Sequence, residues 1–136
     1  MARIFISEDD SNILELMSLM LTKAGHEVCA SSSNADILKS MGIRPEDPSA
    51  ELPDLVVLDV MTPKVDGYSA ARVIRDHLRT RAVPILIVSG LQEIDRLFCA
   101  TVKIQGFLRK PFRPTELLAL VAKVLDHLGV DGRCHG

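Results

Sequence analysis

Pro53-Asp54-Leu55-Val56-Val57-Leu58-Asp59-Val60-Met61-Thr62-Pro63 is the stretch on which the fold turns. Its unbroken run of Leu and Val, with no polar alternation, reads as a strand covered on both faces. The run ends on a carboxylate, Asp59, just before a Pro-containing turn. A carboxylate beside so apolar a strand needs a partner or a task.

Working outward, similar short runs recur at regular intervals. Arg3–Ser7, Glu27–Ala30, Pro84–Val88 and Ile104–Leu108 read as four more strands. Between them lie segments of helical spacing. Ser11 and Asn12 offer cap chemistry for a helix carrying Ile13, Leu14, Leu16, Met17, Leu19, Met20 and Leu21, which Gly25 closes. Ser31–Asn34 are polar cap candidates for a second helix running to about Met41, and Gly67–Leu78 is a third. Gln92–Val102 gives a weaker fourth, and Pro114-Thr115-Glu116 opens a last one with Leu117, Leu118, Leu120, Val121, Val124 and Leu125 on its apolar face. Gly42–Pro53, with Pro45, Pro48 and Pro53, reads as a loop.

Strands alternating with helices in this way predict an α/β, doubly wound, flavodoxin-like (βα)5 domain. Its five parallel strands are expected in the order 2-1-3-4-5. In such sheets ligands bind at the carboxyl ends of the strands, where the strand order reverses. Glu8, Asp9 and Asp10 follow strand one, Asp59 ends strand three, Ser89 ends strand four and Lys110 ends strand five. All fall on one rim.

Bulk properties narrow the classes. The chain has 136 residues, 47% of them hydrophobic, enough for one domain with a proper core. A net charge of −2 leaves no basic footprint for nucleic acid and no polybasic membrane anchor. No apolar stretch reaches membrane-spanning length, and the N-terminus reads as a strand rather than a signal peptide. Cys29, Cys99 and Cys134 form no Cys-x-x-Cys pair, which fits a reduced, cytoplasmic compartment with Cys29 and Cys99 packed as small apolar residues. His26, His77, His127 and His135 show no ligand spacing.

The rim itself carries chemistry. Glu8, Asp9 and Asp59 would repel one another unless a hard divalent cation joins them, and Mg²⁺ suits carboxylates, waters and a phosphate. Lys110 and Ser89 supply a cation and a hydroxyl for an anion beside it. Phosphoryl transfer needs an in-line nucleophile, a metal and positive charge, and a carboxylate can serve as that nucleophile. Asp59, on the central strand, is the candidate.

These segments resemble the receiver domain of two-component response regulators: Ile6–Asp10, Pro53–Pro63, Asp66-Gly67, Pro84–Gly90 and Phe107–Phe112 stand in the family's order and spacing. The resemblance covers about residues 2 to 128, so residues 1–128 are expected to form the receiver domain and 129–136 a flexible tail or the start of a linker. It implies that Asp59 accepts a phosphoryl group from a phosphohistidine on a sensor histidine kinase or histidine phosphotransfer protein. It implies Mg²⁺ held by Asp9, by Glu8 mainly through water, by Asp59 and by the Met61 carbonyl. Ser89 would be the switch hydroxyl, Lys110 the phosphate partner and Phe107 the aromatic rotamer switch, with a cis bond before Pro111. The fourth helix, fifth strand and last helix would then change their surface for a downstream effector.

Four positions depart from the family's usual pattern. Glu8 replaces Asp, Thr62 stands where Met is frequent, the Gly42–Pro53 loop is longer, and Val102–Gly106 replaces an acidic stretch. Met61 and Leu91 offer no polar side chain to position a hydrolytic water, so slow self-dephosphorylation is expected. The chain is expected to modify only itself and not to turn over a substrate. A Mg²⁺-dependent phosphatase of the haloacid dehalogenase type would want a second acid where Met61 stands. The remaining alternative is a receiver-like interaction module that is never phosphorylated.

Overall fold

The computed structural model describes residues 2–60, 66–90 and 102–128. Five parallel strands form one sheet: β1 (Arg3–Ser7), β2 (Glu27–Ser31), β3 (Leu55–Asp59), β4 (Ile85–Ser89) and β5 (Gly106–Arg109), in the order β2-β1-β3-β4-β5. Four helices accompany them among the described residues: α1 (Ser11–Lys23), α2 (Asn34–Ser40), α3 (Gly67–Asp76) and α4 (Pro114–Leu128). The expected helix at Gln92–Val102 falls on 91–101 and lies outside the described residues, apart from Val102 itself, which is buried.

The strand alternation divides the core in two. Phe5, Val56, Leu58, Ile85 and Ile87 face α2 and α3, where Ile37, Leu38, Met41, Ala70, Ala71 and Ile74 meet them. Ile4, Ile6, Leu55, Val57, Leu86 and Val88 face α1 and α4, against Met17, Leu21, Leu117, Val121, Val124 and Leu125. Every residue of β3 and β4 is buried, which explains why these strands read as continuous apolar runs.

Local detail differs from expectation in instructive places. Asp10, not Ser11 or Asn12, caps α1: its carboxylate accepts from the Asn12 and Ile13 N–H groups at 2.9 and 3.2 Å. Gly25, at φ +97°, closes that helix as expected. Within α1 only Met17 and Leu21 are fully buried, while Leu16 and Leu19 are exposed. The apolar stripe is wider than the strip of sheet it covers.

Cys29 is exposed, correcting the expectation that it packs as a small apolar residue. β2 is an edge strand, and most of its residues keep access to solvent. The two described histidine side chains are satisfied. His26 Nδ1 accepts the Ala2 N–H at 3.2 Å, and His77 Nε2 lies 3.2 Å from Glu46. Among the described residues, no helix is long and apolar enough to cross a membrane.

Candidate phosphoryl-transfer site

The register determines what meets at the carboxyl edge. β3 pairs with β4 up to Asp59↔Val88, and β4 with β5 up to Ser89↔Arg109. The Lys110 N–H donates to the Ser89 carbonyl at 2.9 Å, so Lys110 leaves β5 beside the end of β4. On the other side, the backbone ladder between β1 and β3 ends earlier, at Ile6↔Val57. Ser7 and Glu8 therefore reach the rim just as Asp59 does.

Glu8, Asp9 and Asp59 each place a carboxylate oxygen within 4.8 Å of the others. Glu8 and Asp59 are buried, at 0% and 1% exposure, whereas Asp9 stands open at the mouth. Asp10, the third member of the acidic run, is spent on capping α1. The Lys110 ammonium sits between the two buried carboxylates, 3.0 Å from Glu8 Oε1 and 3.4 Å from Asp59 Oδ2.

The electrostatics follow from this crowding. The Glu8 carboxyl is raised to about 7, chiefly by burial and further by the neighbouring Asp59, with Lys110 and the Asp10 N–H working in the opposite direction. Burial works against the Lys110 ammonium too, but the Glu8 and Asp59 carboxylates overcome it and leave its pKa raised. Among the described residues, one cation thus faces two buried carboxylates and a third at the surface. The donor set is all oxygen, without Cys or His, and fits a hard divalent cation of the Mg²⁺ type.

Two glycine and hydroxyl details frame the acceptor strand. Gly67 packs directly on Asp59: a Cβ there would lie 2.8 Å from the Asp59 carbonyl oxygen and 2.8 Å from Val60 Cα. Ser89 is buried at 1% exposure. Phe107, paired with Ile87 in the sheet, is half-buried against the α2–α3 side of the core. The Lys110–Pro111 bond is cis, as is Arg44–Pro45. Met61 and Leu91 lie outside the described residues.

Two residues at the rim were not singled out by sequence reasoning. Ser7 and Asn34 are buried at 1% and 0% exposure, and both touch the Asp59 main chain. Ser7 could have been noticed as the polar residue closing the apolar run Ile4-Phe5-Ile6. Asn34 looked like one more cap in Ser31-Ser32-Ser33-Asn34, whereas Ser33 is the N-cap of α2 and Asn34 turns inward.

A 2-1-3-4-5 parallel sheet that gathers acids and a lysine at its switch point defines a class, the receiver-type signalling domains. The chain belongs to the response regulator receiver domain family, whose pattern matches residues 4–122. It is 35% identical over 123 residues to the transcriptional regulatory protein GltR of Pseudomonas aeruginosa, covering 90% of this chain and 48% of that protein. It is 36% identical over 133 residues to the DNA-binding dual master transcriptional regulator RpaA of Synechocystis sp., covering 92% and 49%. The chain therefore spans about half the length of these curated relatives.

Solved structures agree. A putative response regulator from Chloroflexus aurantiacus superposes with a TM-score of 0.79 at 29% identity, over 92% of this chain and 98% of that one. The receiver domain of sensor histidine kinase PA1611 from Pseudomonas aeruginosa does so with 0.78 at 27%, over 92% and 98%. That domain was crystallised with a magnesium ion coordinated in its active-site cleft.

Proposed function

We propose that this chain is a phosphorylation-dependent switch in which Asp59 accepts a phosphoryl group from a phosphohistidine on a sensor histidine kinase or histidine phosphotransfer protein. The observation that carries this reading is the buried Glu8–Asp59 pair with Lys110 between its carboxylates, an arrangement whose excess negative charge costs stability unless a further cation joins it. Glu8, Asp9, Asp59 and the Met61 carbonyl would hold Mg²⁺, which when bound would supply charge neutralisation for the phosphoryl group.

The chain's own residues do the rest. An Asp59 carboxylate oxygen attacks phosphorus in line; the new O–P bond forms as the donor's P–N bond breaks, and the imidazole leaves with that electron pair. Lys110, now beside both Glu8 and Asp59, is placed to turn its ammonium onto the phosphoryl oxygens. Ser89 at the end of β4 is the hydroxyl for the same anion. Its movement would vacate space toward Phe107, whose turn inward alters the surface of β5 and α4, together with the segment 91–102, for an effector. These two relatives are transcriptional regulators, which favours an effector coupled to gene control; in this reading the receiver itself makes no direct contact with nucleic acid. Residues 1–128 are the switch in this reading, working in the cytoplasm and modifying itself without turning over a substrate.

Incubation with Mg²⁺ and acetyl phosphate, read by intact mass, tests the reading. One phosphoryl group per chain is expected, absent from Asp59→Asn and stable for many minutes without a phosphatase. Continuous hydrolysis of acetyl phosphate or other small phosphate esters would show a phosphatase instead. Failure of the folded protein to take any label would leave a receiver-like interaction module.

A further inference from the structure

Asp59 is fixed differently on its two sides. Toward β4 it belongs to the sheet, as partner of Val88, and the next residue continues the pairing through Val60 N–H to the Val88 carbonyl at 3.1 Å. Toward β1 the backbone ladder has already ended at Ile6↔Val57. There the Asn34 amide donates to the Asp59 carbonyl at 3.0 Å, and the Asp59 N–H points to the Ser7 hydroxyl at 3.5 Å. The Ser7 hydroxyl in turn donates to the Asn34 side-chain oxygen. Ser7, Asn34 and Asp59 are all at most 1% exposed.

We infer that Ser7 and Asn34 are positioning residues for the phosphoacceptor: a two-side-chain bracket that replaces the missing rungs of the sheet and holds the Asp59 main chain against β1 and α2. This rests on the reading of Asp59 as the acceptor. The physical argument has three parts. Buried N–H and C=O groups at a strand end need partners, and no solvent reaches these. A serine hydroxyl can donate once and accept as well, and an asparagine amide can do both, so the two side chains close the circuit that a Val or Leu at either place would break. The Gly67 close approach blocks the Asp59 carbonyl from the α3 side, so the bracket leaves the main chain little room to slide. In-line attack tolerates little misplacement of the carboxylate, because an error near 1 Å costs on the order of a hundredfold in rate. Neither residue touches the phosphoryl group; both act through the Asp59 backbone.

The experiment follows labelling by acetyl phosphate at saturating Mg²⁺ in wild type, Ser7→Val, Asn34→Ala, the double variant, Ser7→Thr and Thr80→Val. Thr80 is the control. It is buried at 0% exposure, and its hydroxyl donates to the Ile74 carbonyl at 2.7 Å, far along the chain from the rim. Ser7→Val and Asn34→Ala should each slow the maximal labelling rate about tenfold, and the double variant should be no slower than the worse single, because the pair acts as a unit. The Mg²⁺ concentration for half-maximal rate should move less than about threefold, since the metal-binding carboxylates remain. The Asp59 amide proton should exchange faster with solvent in both single variants. Ser7→Thr, which keeps the hydroxyl, should label close to wild type. Thr80→Val should lower the melting temperature without slowing labelling.

Variants that label at the wild-type rate overturn the inference and leave the acceptor assignment standing. A Thr80→Val chain slowed as much as Ser7→Val overturns it as well, by reducing the effect to general destabilisation. A folded wild type that takes no label overturns the acceptor reading and this inference with it. If Ser7→Val does not fold, Ser7→Ala, a smaller cut that also removes the hydroxyl, decides the same question.

Discussion

The two ends of the sheet handle their polar groups in opposite ways. At the amino ends of β4 and β5, cations meet neutral oxygens. Arg75 donates to the carbonyls of Lys103, Arg81 and Val83 and to the Gln105 side chain at 2.6–3.0 Å. Gln105 Oε1 also accepts the Ile85 N–H at 2.7 Å. Arg79 similarly ties Met41, Asp47 and Ala50 carbonyls, fastening the long loop after α2. At the carboxyl ends, Glu8 and Asp59 are buried together with Lys110 as their shared cation. The first arrangement satisfies its donors and stabilises. The second concentrates like charge where water cannot screen it, a local conflict that proteins retain at functional sites.

Breaking each end should therefore have different consequences. The largest effect is at the acceptor. Asp59→Asn should abolish acyl phosphate formation while the chain stays folded, with stability equal to or above wild type, checked by intact mass and urea unfolding. Arg75→Ala should cost about 1–2 kcal/mol, since three carbonyls and the Gln105 side chain lose their donor at once, two of these bonds being part-buried and two exposed. It should leave the labelling rate within about twofold once the protein is kept below its unfolding transition. Lys110→Ala should do the reverse. We expect about 2 kcal/mol of destabilisation, reduced from the fully buried case because Lys110 is partly exposed, but a labelling rate lower by on the order of a hundredfold.

Smaller effects sharpen the comparison. Glu8→Gln removes one of the like charges. In wild type the Glu8 carboxyl is raised to about 7 from an ordinary 4.5, so the folded chain holds a proton there that the unfolded chain has released. Its contribution to stability must therefore fall as pH rises from about 4.5 to about 7, and then level off. In cation-free buffer at pH 8, Glu8→Gln should be more stable than wild type by on the order of 2 kcal/mol, and the gain should vanish near pH 4. Saturating Mg²⁺ should remove most of the difference by stabilising wild type. Denaturant curves at several pH values, with and without Mg²⁺, measure all of this. Gly67→Ala should cost about 1–2 kcal/mol, because the new methyl meets Asp59 and Val60 backbone rather than a yielding side chain.

The same contrast shows what the sequence could reveal. Strands β3 and β4 are legible because burial on both faces writes itself as continuous Leu, Ile and Val. Once their order is known, the ends of the strands place Glu8, Asp59, Ser89 and Lys110 on one rim. What sequence does not reveal depends on where pairing stops. Asn34 reads as a surface cap because nothing local shows that the β1–β3 ladder ends at Ile6↔Val57 and leaves a buried carbonyl for its amide. Cys29 reads as a core residue because apolar character cannot distinguish an edge strand from an inner one. The Arg75–Gln105 strut is equally silent, since its partners are three backbone oxygens and the Gln105 side-chain oxygen, spread over the two segments that lead into β4 and β5.

The central claim is that the conflict at the carboxyl end exists to place a phosphoryl group on Asp59. Borohydride reduction of the protein after incubation with acetyl phosphate and Mg²⁺, followed by peptide mass mapping, tests it most directly, because the reagent converts an aspartyl phosphate into homoserine. The account predicts homoserine at position 59 and nowhere else, and none when Mg²⁺ is withheld. Homoserine at another aspartate, or an unmodified Asp59 in folded protein supplied with both reagents, would contradict it.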